Sequence, residues 1–354
     1  MIFRLVDILC NFLQYIDIHL FMNISWHRDT WRLQFGRRQA IPQSLLLCGS
    51  AGAGLDQFAE AVAQAAVCEH PHEDGAPCGQ CLDCQWAIGR RHPDLLWLGE
   101  SVEGEEPVAE EAVEATDSAA KPASKRLINV SQVRDLVSFF RAMPHRDRAR
   151  VAVLNPAETM NLAAANALLK VLEEPPRRGH LVLVSRNPAR LPATVRSRCR
   201  TLRLPRPDPG QALAWLREEG VPSPELALAQ TGGAPLAARD LPPAYWEARS
   251  GLLPLLARGP DCGATPPDAE AAHIVELMQS WCFDLAAVRW GGIPRYHPDF
   301  KTALAALSGR VVPDGLRELE NRLRDSRRLL DHPLNPKLAM ESLLIAYAHA
   351  FKET

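Results

Sequence analysis

Short apolar runs recur along the chain: SLLLC at 44–48, DLLWL at 94–98, VAVL at 151–154, LVLV at 181–184 and TLRL at 201–204. The runs are continuous, and helical pattern or loop separates them, which predicts a parallel sheet covered by helices on both faces. Between the third and fourth runs a helix is easy to bound. Asn161 caps it, Leu162, Leu168, Leu169 and Leu172 supply its apolar face, and Pro175-Pro176 stop it. After Pro205 the strand pattern ends. The segments DPGQALAWLREEG and SPELALAQTGGAPLAARDL predict a small helical lid over 207–242. From 243 to 354, DAEAAHIVELMQSWCFDLAAVRW and VPDGLRELENRLRDSRRLL carry apolar residues at three- and four-residue spacing, the pattern of a helix bundle.

Two stretches stand outside this pattern. Residues 1–21 are apolar, but Asp7, Asp17 and His19 interrupt the run and no small-residue cleavage site follows, so neither export nor membrane insertion is expected. Met22 opens an ordinary domain start, and 1–21 reads as an upstream extension, with an extra amphipathic helix as the alternative. Residues 100–125 are acidic, Ala-rich and free of aromatics. Such a composition buries too little surface to offset its ordering entropy, so a disordered surface insertion is expected.

Composition changes the picture in two ways. With 354 residues, 47% apolar content and 23% charge, the chain is a globular protein of two or three domains. A net charge of −2 means that any nucleic-acid contact needs a local basic patch. Of nine cysteines, Cys68, Cys78, Cys81 and Cys84 crowd into one loop. That spacing points to a metal site in the reducing cytoplasm, not to a disulfide scaffold.

Those four form C-x9-C-x2-C-x2-C, a set suited to a closed, tetrahedral, structural Zn²⁺ site. His70 and His72 lie in the first spacer and are the alternative ligands. A second motif, GSAGAGLDQF from Gly49 to Phe58, follows the first apolar run and precedes helical pattern, as a phosphate-binding P-loop does. Gly49 and Gly54 are in place, but Leu55 stands where the lysine belongs and Asp56 where the hydroxyl belongs. At the end of the third run, where an ATPase needs acids for Mg²⁺ and water, the chain has Asn155 and Pro156, then Ala157 and Glu158. ATP binding by this chain is therefore not expected. Seven arginines and no acid lie between Arg186 and Arg206. Most read as a solvated face; Arg198, in RSRC before the last strand, stands apart.

The residues NALLKVLEEPP (166–176), RSRC (196–199), the cysteine cluster and HPLNPKLAMESLLIAY (332–347) together resemble the bacterial DNA polymerase III clamp-loader family, from about Met22 onward. The dead P-loop resembles the delta prime branch, since the gamma/tau ATPases keep the lysine, threonine and Asp-Glu pair. The resemblance implies an α/β AAA+ module over 22–206, with a zinc insertion at 68–84, a small helical lid and a C-terminal all-α collar that serves oligomerisation. It implies gamma/tau and delta as partners, with the sliding clamp and primed DNA reached through the complex, which belongs to the polymerase III holoenzyme. It also maps an arginine finger, acting in trans on a neighbour's ATP, onto Arg198. The lid's sensor arginine is missing, the turn reading Gly233-Ala234-Pro235-Leu236. The competing readings are an independent AAA+ ATPase with an atypical P-loop and a zinc-ribbon nucleic-acid-binding module.

Overall fold

The computed structural model describes residues 24–36, 41–50, 52–99, 127–146, 148–329 and 336–351. The expected extension at 1–21 and the acidic insertion at 100–125 lie outside the described residues. All five expected strands form: β1 (Ser44–Cys48), β2 (Leu95–Leu98), β3 (Arg150–Leu154), β4 (Gly179–Ser185) and β5 (Arg200–Arg203). They run parallel in the order β2-β3-β4-β1-β5.

Alternation along each strand sends neighbouring side chains to opposite faces, so a run without polar residues requires cover on both. One face carries Leu45, Leu47, Val151, Val153, Val182 and Val184 into a core with α1 (Ser25–Phe35), α2 (Leu55–Val67) and α3 (Leu82–Ile88). The other carries Leu46, Cys48, Ala152, Leu154, Leu181 and Leu183 against α4 (Val130–Arg141), α5 (Leu162–Glu173) and the short α6 (Ala193–Arg196). This is the two-faced α/β architecture that the AAA+ resemblance implies.

The caps explain where the covering helices start. Asn129 and Gln132 make a reciprocal capping box on α4, at 2.9 and 3.0 Å. Asn161 Oδ1 accepts the Ala164 N–H at 2.7 Å and opens α5. One expectation fails here. Leu162 is 70% exposed, while Ala164, Ala165, Leu168, Val171 and Leu172 are the buried residues of α5. At about 100° per residue, Leu162 lies some 240° round the helix from Leu168, so it cannot share that face.

The chain divides into two compact units, with the changeover after Gln211, inside α7 (Pro209–Glu218). The second unit continues through α8 (Pro224–Gln230), α9 (Pro235–Arg239), α10 (Pro243–Leu256), α11 (Ala271–Arg289), α12 (Lys301–Ser308), α13 (Pro313–Leu329) and α14 (Pro336–His349). Its core gathers Leu252, Met278, Trp281, Leu304, Leu319 and Tyr347. Within that core the Trp281 indole donates to the Tyr347 hydroxyl at 3.0 Å, which donates to the Leu256 carbonyl at 2.7 Å. Buried Gln230, at the end of α8, accepts from the Tyr245 hydroxyl at 3.0 Å and donates to the Tyr296 carbonyl. Arg295 donates to the Gly232 carbonyl at 2.8 Å. The α8 end is thereby tied to α10 and to the loop that follows α11. No helix among the described residues is long and apolar enough to cross a membrane.

The α5 geometry makes a direct prediction. Leu168→Ala should cost about 2–5 kcal/mol by removing a fully buried side chain, whereas Leu162→Ala should stay within about 0.5 kcal/mol of the parent. Urea denaturation of the two variants measures this; equal losses would put Leu162 back in the core.

Candidate metal centre and phosphate loop

The ends of three neighbouring strands, β3, β4 and β1, build the phosphate-loop region. After β1 the chain turns through Gly52 and Gly54, whose φ values of 71° and 89° are left-handed and suit glycine. Gly54 is the N-cap of α2, so the strand, glycine turn and helix that the motif predicts follow one another here. The side chains beyond the turn take other partners. Leu55 is only 2% exposed and belongs to the core beneath the loop. A Cβ at Gly49 would lie 3.3 Å from the Leu55 side chain. The position that offers a lysine in an ATPase is here a packing residue.

Asp56 follows in the first turn of α2. Its carboxylate accepts two hydrogen bonds from one nitrogen of the Arg186 guanidinium, at 2.8 and 2.6 Å, and one from the Asn155 amide at 2.9 Å. Arg186 follows β4 and Asn155 follows β3, so adjacent strand ends deliver both partners. Glu158 holds the turn after β4 by accepting the Arg186 and Asn187 N–H groups at 3.1 and 3.2 Å. From α1, Trp26 donates to the Ala53 carbonyl at 3.2 Å, and His27 Nε2 sits 2.7 Å from the same oxygen. Burial lowers the His27 pKa to about 4 against the pull of that bond. The ring is therefore neutral at ordinary pH, and its Nε2–H is the donor.

The four cysteines converge between α2 and α3. Their sulfurs all lie within 4.8 Å of one another, with Cys68 to Cys81 at 4.0 Å and Cys78 to Cys84 at 3.9 Å. A tetrahedral ion with metal–sulfur bonds of about 2.3 Å spaces its sulfurs about 3.8 Å apart, so the group fits a single metal ion with little closing. His70 and His72 are not part of the group. Three backbone N–H groups point at sulfur: Cys78 to Cys68 at 3.3 Å, Cys81 to Cys78 at 3.3 Å and Cys84 to Cys81 at 3.4 Å. Such donors favour thiolate over thiol. The hydrogen bond with Cys84, first, and the nearby amide donors hold the Cys68 thiol down to about 5, while the same sulfur–sulfur bond, together with burial, pushes Cys84 upward.

The loop is tied to its surroundings from outside. Arg148 donates to the Cys68 carbonyl at 2.6 Å and the Glu69 carbonyl at 3.1 Å, and the Trp31 indole donates to the Asp74 carbonyl at 3.1 Å. With four sulfurs and no fifth donor in the group, a bound ion would hold structure and offer no open position for catalysis.

Arg198 follows α6. Its guanidinium donates to the Thr194 carbonyl at 3.0 Å and pairs with Glu173 at 2.7 Å, and the side chain is 37% exposed. Arg200, two residues on, donates instead to Gln34 at 2.9 Å. The two arginines thus differ in partner and setting although the sequence places both in one basic run. Two participants were not singled out by that run. Arg186 read as part of a solvated face, and Asn155 read only as a missing acid; the signal that joins them to Asp56 is their common position just beyond parallel strands.

Relatedness to known proteins agrees with this layout. The sequence model of the family described as DNA polymerase III, delta subunit, matches residues 34–208. The DNA polymerase III subunit delta' of Pseudomonas aeruginosa is 38% identical over 220 residues, covering 61% of this chain and 60% of that protein. The subunit of the same name from Escherichia coli K12 is 30% identical over 288 residues, 80% of this chain and 78% of the relative. The E. coli K12 subunit tau is 29% identical over 167 residues, 47% of this chain and 22% of that protein. The chain belongs to the DNA polymerase III subunit delta' family. Its match to the P. aeruginosa relative spans less than two thirds of that protein's length.

The sulfur group carries its own prediction. Metal analysis of the purified chain should find one ion, with zinc the expected element, and Cys81→Ser should release it. Unchanged metal content in that variant would refute the assignment.

Proposed function

We propose that this chain is a non-hydrolytic delta prime subunit of a DNA polymerase III clamp loader, which works in the cytoplasm. In this reading it completes a ring with gamma/tau and delta subunits and helps to load the sliding clamp on primed DNA. The AAA+ module over 22–206 packs in the ring, 207–242 is the lid, and 243–354 is the oligomerising collar. Zn²⁺ held by Cys68, Cys78, Cys81 and Cys84 serves stability.

The observation that carries the reading is the phosphate loop. Its glycine turn keeps the shape of the module, yet Leu55 is buried and Asp56 puts a carboxylate where Mg²⁺ would need a hydroxyl. The metal-binding acids after β3 are replaced by Asn155 and Pro156. A subunit beside an ATPase needs the fold, and its chemical contribution is one guanidinium offered across the interface. Arg198 is that group. It is planar and permanently charged, and it offers several donors to a γ-phosphate as charge shifts during transfer. Its ion pair with Glu173 is half exposed, so the guanidinium can be handed to a phosphate at little loss of stability.

Titration calorimetry of the chain with ATP and Mg²⁺ should be flat, and saturable binding near about −8 kcal/mol, a micromolar Kd, would end the nucleotide-free reading. Leu55→Lys alone should not create hydrolysis, because it buries a charge and leaves Mg²⁺ without a carboxylate.

In a complex reconstituted with gamma/tau and delta, Arg198→Ala should leave assembly intact and lower clamp- and DNA-stimulated ATP hydrolysis and clamp loading. Arginine fingers supply about 10³–10⁵ in rate at their own site; the bulk loss should be smaller because the other ring interfaces keep theirs. Arg200→Ala is the matched control, and identical behaviour of the two variants would remove Arg198 from this role. Failure of the chain to join the other subunits at all would overturn the proposed function.

A further inference from the structure

A phosphate loop that has lost its lysine still has attractive features for an anion. The N-terminal end of a thirteen-residue helix, α2, carries the positive end of the helix dipole and first-turn N–H groups that no N-cap side chain accepts. Arg186 brings a guanidinium and Asn155 an amide to the same place from the ends of β4 and β3. Loss of lysine alone would leave a weakened anion site. Here those features face an anion that the chain supplies itself. Asp56 lies in the first turn of α2, accepts two bonds from Arg186 at 2.8 and 2.6 Å, and takes the Asn155 amide at 2.9 Å. Arg186 is itself held in register, since its backbone N–H and that of Asn187 are bound by Glu158.

The geometry points to Asp56 as an internal anion that keeps the phosphate loop closed to nucleotide, an autoinhibitory contact built from its own carboxylate and Arg186. The inference rests on the nucleotide-free reading above and supplies its physical cause. An incoming phosphate meets a fixed negative charge, and to reach Arg186 it must first displace that charge. The Asp56 and Arg186 side chains are 38% and 36% exposed. An ion pair this exposed adds little to stability, so its consequence is to be read in ligand exclusion, not in melting.

The test compares the full chain with Asp56→Ser, which restores the P-loop hydroxyl, and with Asp56→Asn, which keeps the shape and removes the charge. Each is titrated with inorganic pyrophosphate and with ATP and Mg²⁺, followed by phosphorus NMR and by thermal shift. Pyrophosphate should bind both variants at least tenfold more tightly than the parent, and adding Arg186→Ala to Asp56→Ser should abolish the gain. Asp56→Asn carries the test if Asp56→Ser fails to fold. Equal pyrophosphate affinity in parent and charge-removed variants overturns the inference, as does a gain that survives loss of Arg186. Saturable ATP binding by the parent is a separate result, since it overturns the nucleotide-free reading, while the ratio of parent to variant for pyrophosphate judges the contact.

Discussion

Burial of the parallel sheet on both faces is the constraint from which the rest of the first unit follows. Once β1, β3 and β4 are apolar throughout their central positions, helices must cover both sides, and because the strands are parallel their strand-to-helix turns emerge together at the carboxyl ends of the strands. Polar groups excluded from the strands accumulate in those turns. Asp56, Asn155 and Arg186 meet there because their strands are neighbours, although they are 99 and 130 positions apart in pairs along the chain.

The same constraint shapes the glycine turn after β1. The turn is held by glycines in left-handed conformation and by the Trp26 and His27 side chains on the Ala53 carbonyl, none of which depends on a bound phosphate. Leu55, the first residue of α2, packs in the core beneath the turn, where apolar burial stabilises it.

The cysteine loop solves a different problem. Residues 68–84 have little apolar content, and Arg148 ties the loop at Cys68 and Glu69 while Trp31 ties it at Asp74. A metal ion joining four sulfurs would close that loop from inside. In small peptides such an ion is worth roughly 10–16 kcal/mol of coupled folding; beside a preformed sheet, part of that order is already supplied by α2 and α3.

The primary sequence by itself determined the strands, the helical character of the chain after Pro205, the cysteine quartet and the identity of Leu55, Asp56 and Asn155 at the strand ends. Each depends on local pattern: continuous apolar runs, three- and four-residue periodicity, close spacing of like ligands, or the identity of one residue in a motif. Tertiary structure decided what local pattern does not encode. It turned Leu162 to solvent, because a helix face is set by the direction of the sheet it meets and not by the leucine count. It separated Arg198, paired with Glu173, from Arg200, paired with Gln34, within one basic run. It also made Arg186 and Asn155 the partners of Asp56, since only the order of strands in a sheet determines which distant turns become neighbours.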